Sequence, residues 1–151
     1  MKSIHILLVE DNEGDILLTT EAFDEGKIVN QLTVVRDGKQ AIDFINKSGR
    51  YVNEQAPDLI LLDINLPRIN GHEVLQYIKT SEEFKLIPVI MLTTSSTEKD
   101  IHKAYQNLAD FYITKPVEVK DLMNAIASIE DFHLNIEKYT LEEMIDYEKR
   151  Q

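Results

Sequence analysis

Strand and helix signals alternate five times along this chain, and this alternation constrains its fold more than any other feature. Five short apolar segments are rich in Ile, Val, Leu or aromatic residues; they cover residues 4–9, 32–35, 59–62, 88–92 and 111–114. A helical pattern follows each of them, which favours a parallel sheet covered by helices on both faces. A (β/α)₈ barrel needs eight such units and about 250 residues. With 151 residues, the chain is too short for that alternative.

Turn residues and apolar spacing predict the five helices. The first helix ends at Gly26, and the second begins at Asp37-Gly38 and closes at Gly49. In each of the other three helices, apolar positions recur at helical spacing. The third helix has Gly71, Val74, Leu75 and Ile78. The fourth follows a Thr97 cap and has Ile101, Ala104, Tyr105 and Leu108, and the fifth has Leu122, Ala125, Ile126 and Ile129.

Residues 1–133 are therefore predicted to form one domain, and residues 134–151 a polar tail. Within the tail, Thr140-Leu141-Glu142-Glu143 matches a capping box and predicts a short helix. A solvated, frayed end is the alternative interpretation.

Charge and composition exclude several classes of function. The chain has 27 acidic and 16 basic residues and a net charge of −11, which argues against binding to nucleic acid or to an anionic membrane. It has no cysteine, which excludes thiolate metal sites and Cys nucleophiles. The apolar runs are too short to span a bilayer, and the first residues do not resemble a signal peptide. We therefore expect a cytoplasmic protein.

Polar residues follow all five predicted strands, and at four of them they suit a binding site at the edge where doubly wound sheets bind ligands. At those four they are Glu10, Asp11, Asp63, Thr93 and Lys115. If the strand order is 2-1-3-4-5, the first and third strands are neighbours and the three carboxylates crowd one pocket. Like charges that close are costly unless they are neutralised. Mg²⁺ prefers such oxygen ligands, so the pattern predicts a magnesium site.

The hydroxyl of Thr93 and the ammonium of Lys115 suit the oxygens of a phosphoryl group. The whole set therefore predicts a phosphoryl-transfer site with a carboxylate nucleophile. Each residue alone has an ordinary explanation, as a turn residue, a helix cap or a solvated cation, but the combination favours a functional site. The chain lacks a P-loop, a G-x-G-x-x-G after the first strand and a G-x-S-x-G, which disfavours the nucleotide-binding and serine-hydrolase classes.

Together these segments resemble the receiver domain of two-component response regulators. The resemblance implies a flavodoxin-like, receiver-type three-layer α/β sandwich with sheet order 2-1-3-4-5. It covers residues 4 to about 130 and rests on Val9-Glu10-Asp11-Asn12, Leu61-Leu62-Asp63-Ile64-Asn65-Leu66-Pro67 with Asn70-Gly71, Pro88-Val89-Ile90-Met91-Leu92-Thr93, and Tyr112-Ile113-Thr114-Lys115-Pro116. More narrowly, Asp11-Asn12-x-x-Asp15 and the longer loop 49–57 are similar to the small single-domain regulators paired with bacterial phytochromes.

The resemblance implies that Asp63 accepts a phosphoryl group from a phosphohistidine on a sensor histidine kinase, which for this subfamily is of the phytochrome type. It implies that Asp11, Asp63 and the backbone carbonyl of Asn65 hold Mg²⁺, and that Glu10 acts mostly through a bound water. The protein is then not an enzyme in the ordinary sense, because it catalyses only its own phosphorylation and dephosphorylation.

The remaining roles also follow from the resemblance. Lys115 pairs with the phosphoryl group, aimed by a cis bond to Pro116. Thr93 hydrogen-bonds a phosphoryl oxygen and moves toward it on activation, and Tyr112 is the aromatic switch that turns inward with it. The signal then passes through protein contacts, to a downstream phosphotransfer or target protein. A homodimer through the predicted helix at 97–108, the fifth strand and the fifth helix is a further expectation.

Two alternatives remain open from the sequence. A phosphatase-type hydrolase with a covalent aspartyl phosphate would have a second Asp two residues after the nucleophile, where this chain has Asn65. An interaction module with a vestigial, unphosphorylated pocket is the other. This second alternative is disfavoured because the chain has every residue type that a phosphoryl-acceptor site needs.

Overall fold

Five parallel strands form one sheet in the order β2-β1-β3-β4-β5 in the part of the chain that our computed structural model describes, residues 4–28, 30–94 and 109–129. The strands are β1 (Ile4–Val9), β2 (Asn30–Val35), β3 (Leu59–Asp63), β4 (Val89–Thr93) and β5 (Phe111–Thr114). The described α-helices are α1 (Glu13–Glu25), α2 (Gly38–Ile45), α3 (Gly71–Lys79) and α4 (Val119–Ser128), and a short 3₁₀ helix covers Gly49–Tyr51. The predicted parallel α/β sandwich and its strand order are confirmed.

The predicted boundaries hold closely, with two instructive differences. Thr93 is the last residue of β4 rather than the first residue after it. Helix α2 ends at Ile45 instead of continuing to Gly49, because Lys47 adopts a left-handed φ of 56° and its N–H bonds back to Phe44. The predicted helix at 97–108 and the tail at 134–151 lie outside the described residues.

The core explains why β3 reads as a continuous apolar run. Leu59 and Leu61 pack on one face of the sheet with residues of α1 and α4, including Phe23 and Leu122. Ile60 and Leu62 pack on the opposite face with residues of α2 and α3; that layer includes Phe44, Val74, Leu75 and Ile78. Every residue of β3 is buried, as expected for a parallel strand covered on both faces.

Two local features fix the helices close to the ends of the strands. The Oδ1 of Asn12 caps α1 by accepting the N–H of Asp15 at 2.9 Å, so α1 starts directly after β1. Gly71 starts α3 so close to β3 that a Cβ there would lie 2.2 Å from the carbonyl oxygen of Asp63. Within the described residues, no helix is both long and apolar enough to cross a membrane.

Candidate functional site

The carboxyl ends of β1 and β3 bring three carboxylates together. These strands pair in parallel, with Val9 opposite Leu62, so the residues that follow meet at the same edge. One carboxylate oxygen from each of Glu10, Asp11 and Asp63 lies within 4.8 Å of the others. The predicted convergence of these three side chains is confirmed. Their hard oxygen donors fit a divalent cation such as Mg²⁺.

Lys115 reaches this cluster from the end of β5. Its Nζ lies 2.6 Å from Oε2 of Glu10, 3.1 Å from Oδ2 of Asp15 and 3.3 Å from Oδ2 of Asp63. The backbone N–H of Lys115 donates to the carbonyl of Thr93 at 2.7 Å, which fixes the start of the loop. The Lys115–Pro116 peptide is cis, as the resemblance implied. The site therefore combines at least three carboxylates with one buried cation.

Asp15 also belongs to this site, although its only role in the sequence was as the last residue of the Asp11-Asn12-x-x-Asp15 motif, which supports the family resemblance. It lies in the first turn of α1, where the Asn12 cap fixes its backbone N–H. The signal that points to it is position: the first turn of a helix that follows a strand directly lies over the same edge of the sheet. The spacing alone does not show that it reaches Lys115.

The other predicted residues lie around the same edge. Thr93 is buried and ends β4, in register with Thr114 of β5, so it lies between the strand that carries Asp63 and the strand that leads to Lys115. Asn65 is exposed, and its backbone N–H donates to Oδ1 of Asp63 at 3.2 Å. That hydrogen bond helps to orient the Asp63 carboxylate.

Tyr112 lies further along β5, opposite Met91 in β4. Its ring is half-buried and stacks on the ring of Phe111, with centroids 5.8 Å apart. This placement suits both an ordinary strand residue and the predicted switch.

The electrostatics of the site reflect its burial. The pKa of Glu10 is raised from 4.5 to about 7; burial is the largest cause, the hydrogen bond from Lys115 opposes it and the charge of Asp63 adds to it. For Lys115, burial alone lowers the pKa, but the hydrogen bond to Glu10 and the charges of Asp63 and Glu10 outweigh it, so its pKa is raised. Lys115 therefore stays cationic, whereas Glu10, with a pKa of about 7, ionises near neutral pH.

A family model described as "Response regulator receiver domain" matches residues 6–127 of the chain. Among curated proteins, the response regulator Rcp1 of Synechocystis sp. is 43% identical over 129 residues, which cover 85% of this chain and 88% of Rcp1. The solved Mn²⁺-bound form of Rcp1 matches with a TM-score of 0.73 and 42% identity, covering 87% of this chain and 95% of that one.

Two further solved structures are similar along most of their length. The bacteriophytochrome response regulator RtBRR matches with a TM-score of 0.78 and 43% identity, covering 85% of this chain and 78% of its own. The phosphorylated cyanobacterial phytochrome response regulator RcpA matches with a TM-score of 0.75 and 41% identity, covering 89% of this chain and 96% of its own.

Proposed function

The chain belongs to the response regulator receiver domain family, and from this premise we propose that Asp63 is its phosphoryl acceptor. It is a response regulator of two-component signal transduction, a class of signalling protein rather than of classical enzymes. The observation that carries the proposal is the convergence of Glu10, Asp11 and Asp63 around one edge, with Lys115 beside them.

The proposed reaction transfers a phosphoryl group from a phosphohistidine to Asp63. A carboxylate oxygen of Asp63 attacks phosphorus, the P–O bond forms, the P–N bond breaks, and the imidazole leaves as it takes up a proton. The N–H of Asn65 and the ammonium of Lys115 both lie against Asp63, at 3.2 Å and 3.3 Å, and they support its orientation. Lys115 then pairs with the transferred phosphoryl oxygens. In this proposal the only chemistry that the protein catalyses is its own phosphorylation and dephosphorylation.

We propose that Asp11, Asp63 and the backbone carbonyl of Asn65 hold Mg²⁺, with Glu10 acting mostly through water. Support comes from the oxygen donors within 4.8 Å of one another and from the Mn²⁺-bound form of Rcp1. When bound, the ion neutralises the carboxylates and stabilises charge on the transferred oxygens. Glu10 and Asp63 are buried, whereas Asp11 is exposed, so the cluster has one side open to solvent.

Thr93 and Tyr112 are the proposed switch. The hydroxyl of Thr93 turns toward the phosphoryl group, and Tyr112 turns inward with it. Such a change needs only a differential interaction of a few kcal/mol between two states that already exist. Thr93 is buried at the end of β4, beside β3 and β5, and this position supports the role.

A sensor histidine kinase is the proposed phosphoryl donor. RtBRR and RcpA are phytochrome response regulators by name, which favours a phytochrome-type kinase. The output passes to a downstream phosphotransfer or target protein. The proposal also includes a homodimer through the predicted helix at 97–108, β5 and α4. We propose a cytoplasmic location, because sensor histidine kinases take their phosphoryl group from cytoplasmic ATP.

Intact-protein mass spectrometry after incubation with acetyl phosphate and Mg²⁺ tests this function. We expect wild type to gain one phosphoryl group and Asp63→Asn to gain none. Asp43→Asn, which changes a half-buried acid on α2 that pairs with Lys39, is the matched control and retains the gain. Continuous release of phosphate from a generic phosphate ester would instead favour the hydrolase, and failure of wild type to gain mass would favour the vestigial module.

A further inference from the structure

Among the described residues that surround Lys115, Asp15 is the carboxylate that comes from a helix. Its Oδ2 lies 3.1 Å from Nζ, and 29% of its side chain is exposed, against 0% for Glu10 and 5% for Asp63. Glu10 and Asp63 already have places in the proposed function. Asp15 has none, although it contacts the cation on which the site depends.

The contacts of Lys115 match the number of its donors. An ammonium group has three N–H donors and no acceptor. Three carboxylates lie within 3.3 Å of it: those of Glu10, Asp15 and Asp63. Nζ donates a hydrogen bond to Oδ2 of Asp15, so a phosphoryl group on Asp63 competes with Asp15 for the donors of the ammonium.

The position of Asp15 is set by the chain that leads from β1 into α1. The N–H of Asn12 donates to Oε1 of Glu10 at 3.2 Å, and Oδ1 of Asn12 accepts the N–H of Asp15 at 2.9 Å. Glu10 and Asp15 are thereby fixed relative to each other on one side of Lys115. Asp63 lies at the end of β3, at the longest of the three distances.

We propose that Asp15 is a positioning residue that restrains Lys115 in the unphosphorylated protein and thereby slows phosphorylation of Asp63. This inference rests on the proposed function. The Asp15–Lys115 contact stabilises the state before transfer more than the transition state, in which the ammonium turns to phosphoryl oxygens. The negative charge of Asp15 also repels an anionic phosphoryl donor, so both effects slow the phosphorylation of Asp63.

Removal of Asp15 does not release Lys115 from the site, because Glu10 is fully buried and only 2.6 Å away. The loss of positioning is therefore small compared with the gain of an available donor. A partly exposed ion pair contributes up to about 1 kcal/mol, which corresponds to a rate change of about fivefold at most. Asp15 thus sets the basal rate of phosphorylation without being required for it.

The test compares Asp15→Asn with Glu13→Gln. Glu13 lies in the same first turn of α1, carries the same charge and pairs with Arg36 instead of Lys115. We expect the rate constant for phosphorylation by acetyl phosphate to rise about twofold to fivefold in Asp15→Asn and to stay unchanged in Glu13→Gln. Asp15→Ala should change the rate in the same direction as Asp15→Asn.

A second readout reports the contact itself. The Nζ resonance of Lys115, assigned by its loss in Lys115→Ala, should shift in Asp15→Asn at neutral pH and not in Glu13→Gln. An unchanged resonance overturns the inference whatever the rates are. If wild type is phosphorylated and Asp15→Asn is no faster, the inference alone fails; if wild type takes up no phosphoryl group, the proposed function fails and the inference fails with it.

Discussion

The ammonium of Lys115 lies 2.6 Å from the buried carboxylate of Glu10, and this ion pair joins the ends of β5 and β1. Strands β3 and β4 lie between them in the sheet, so the pair crosses the whole width of the candidate site. Lys115 thus supplies positive charge at the point where the carboxylates of two other strand ends meet.

Loss of that cation should destabilise the metal-free protein. Lys115→Met leaves Glu10 and Asp63 buried beside each other without their partner. At pH 8, where the carboxylate of Glu10 is ionised, breaking a buried pair in this way costs about 3 kcal/mol. Urea unfolding with a chelator present measures the loss, and Mg²⁺ should restore part of it. Lys120→Met, which removes an exposed lysine of α4, is the control and should have little effect. Equal stability of the two variants would contradict the importance of the pair.

The raised pKa of Glu10 predicts a pH dependence of stability. Its pKa is about 7 in the folded protein and 4.5 ordinarily, so the folded state binds the proton more tightly. Relative to Glu10→Gln, the free energy of unfolding of metal-free wild type should therefore fall as pH rises from about 4.5 to about 7, by about 3 kcal/mol at most. Denaturant titrations of both proteins across this range measure the difference. A difference that is constant or grows with pH would show that Glu10 is not desolvated.

Asp11 is the exposed member of the three-carboxylate cluster, and its removal should separate metal binding from folding. Asp11→Asn takes away one charged oxygen ligand and relieves repulsion with Glu10 and Asp63. We expect Mg²⁺ affinity to fall roughly tenfold or more, while metal-free stability stays the same or rises. Isothermal titration calorimetry and urea unfolding measure the two quantities. Unchanged Mg²⁺ affinity would exclude Asp11 as a ligand.

Gly71 is expected to be required for the geometry of Asp63. A Cβ at this position would lie 2.2 Å from the carbonyl oxygen of Asp63, so Gly71→Ala must displace α3 or the end of β3. Overpacking of this kind costs about 1–3 kcal/mol, and we also expect slower phosphorylation. At Gly14 the nearest atom is Oδ1 of Asn12 at 3.2 Å, a side-chain atom that can shift, so Gly14→Ala is the milder control for stability. It is not a control for the phosphorylation rate, because the same oxygen caps the helix that carries Asp15. Wild-type stability of Gly71→Ala would show that the backbone relaxes without cost.

The sequence predicted the convergence of the site because strand ends in a parallel sheet share one edge. Glu10, Asp11, Asp63, Thr93 and Lys115 could be assigned to that edge once five strands were recognised. Asp15 could not, because its contact with Lys115 depends on the direction in which α1 leaves β1 and joins residues 100 positions apart. The predicted end of α2 was wrong because Lys47 adopts the left-handed backbone conformation that stops the helix, and this conformation is not expected for a residue other than glycine.

The central claim is that one buried carboxylate, Asp63, takes up the phosphoryl group with the help of a divalent cation. Borohydride reduction converts an aspartyl phosphate to homoserine, and peptide mass spectrometry then locates it in the chain. After treatment with acetyl phosphate, we predict homoserine at position 63 when Mg²⁺ is present and none when it is chelated. Homoserine at another position, or at 63 to the same extent without a divalent cation, would contradict the claim.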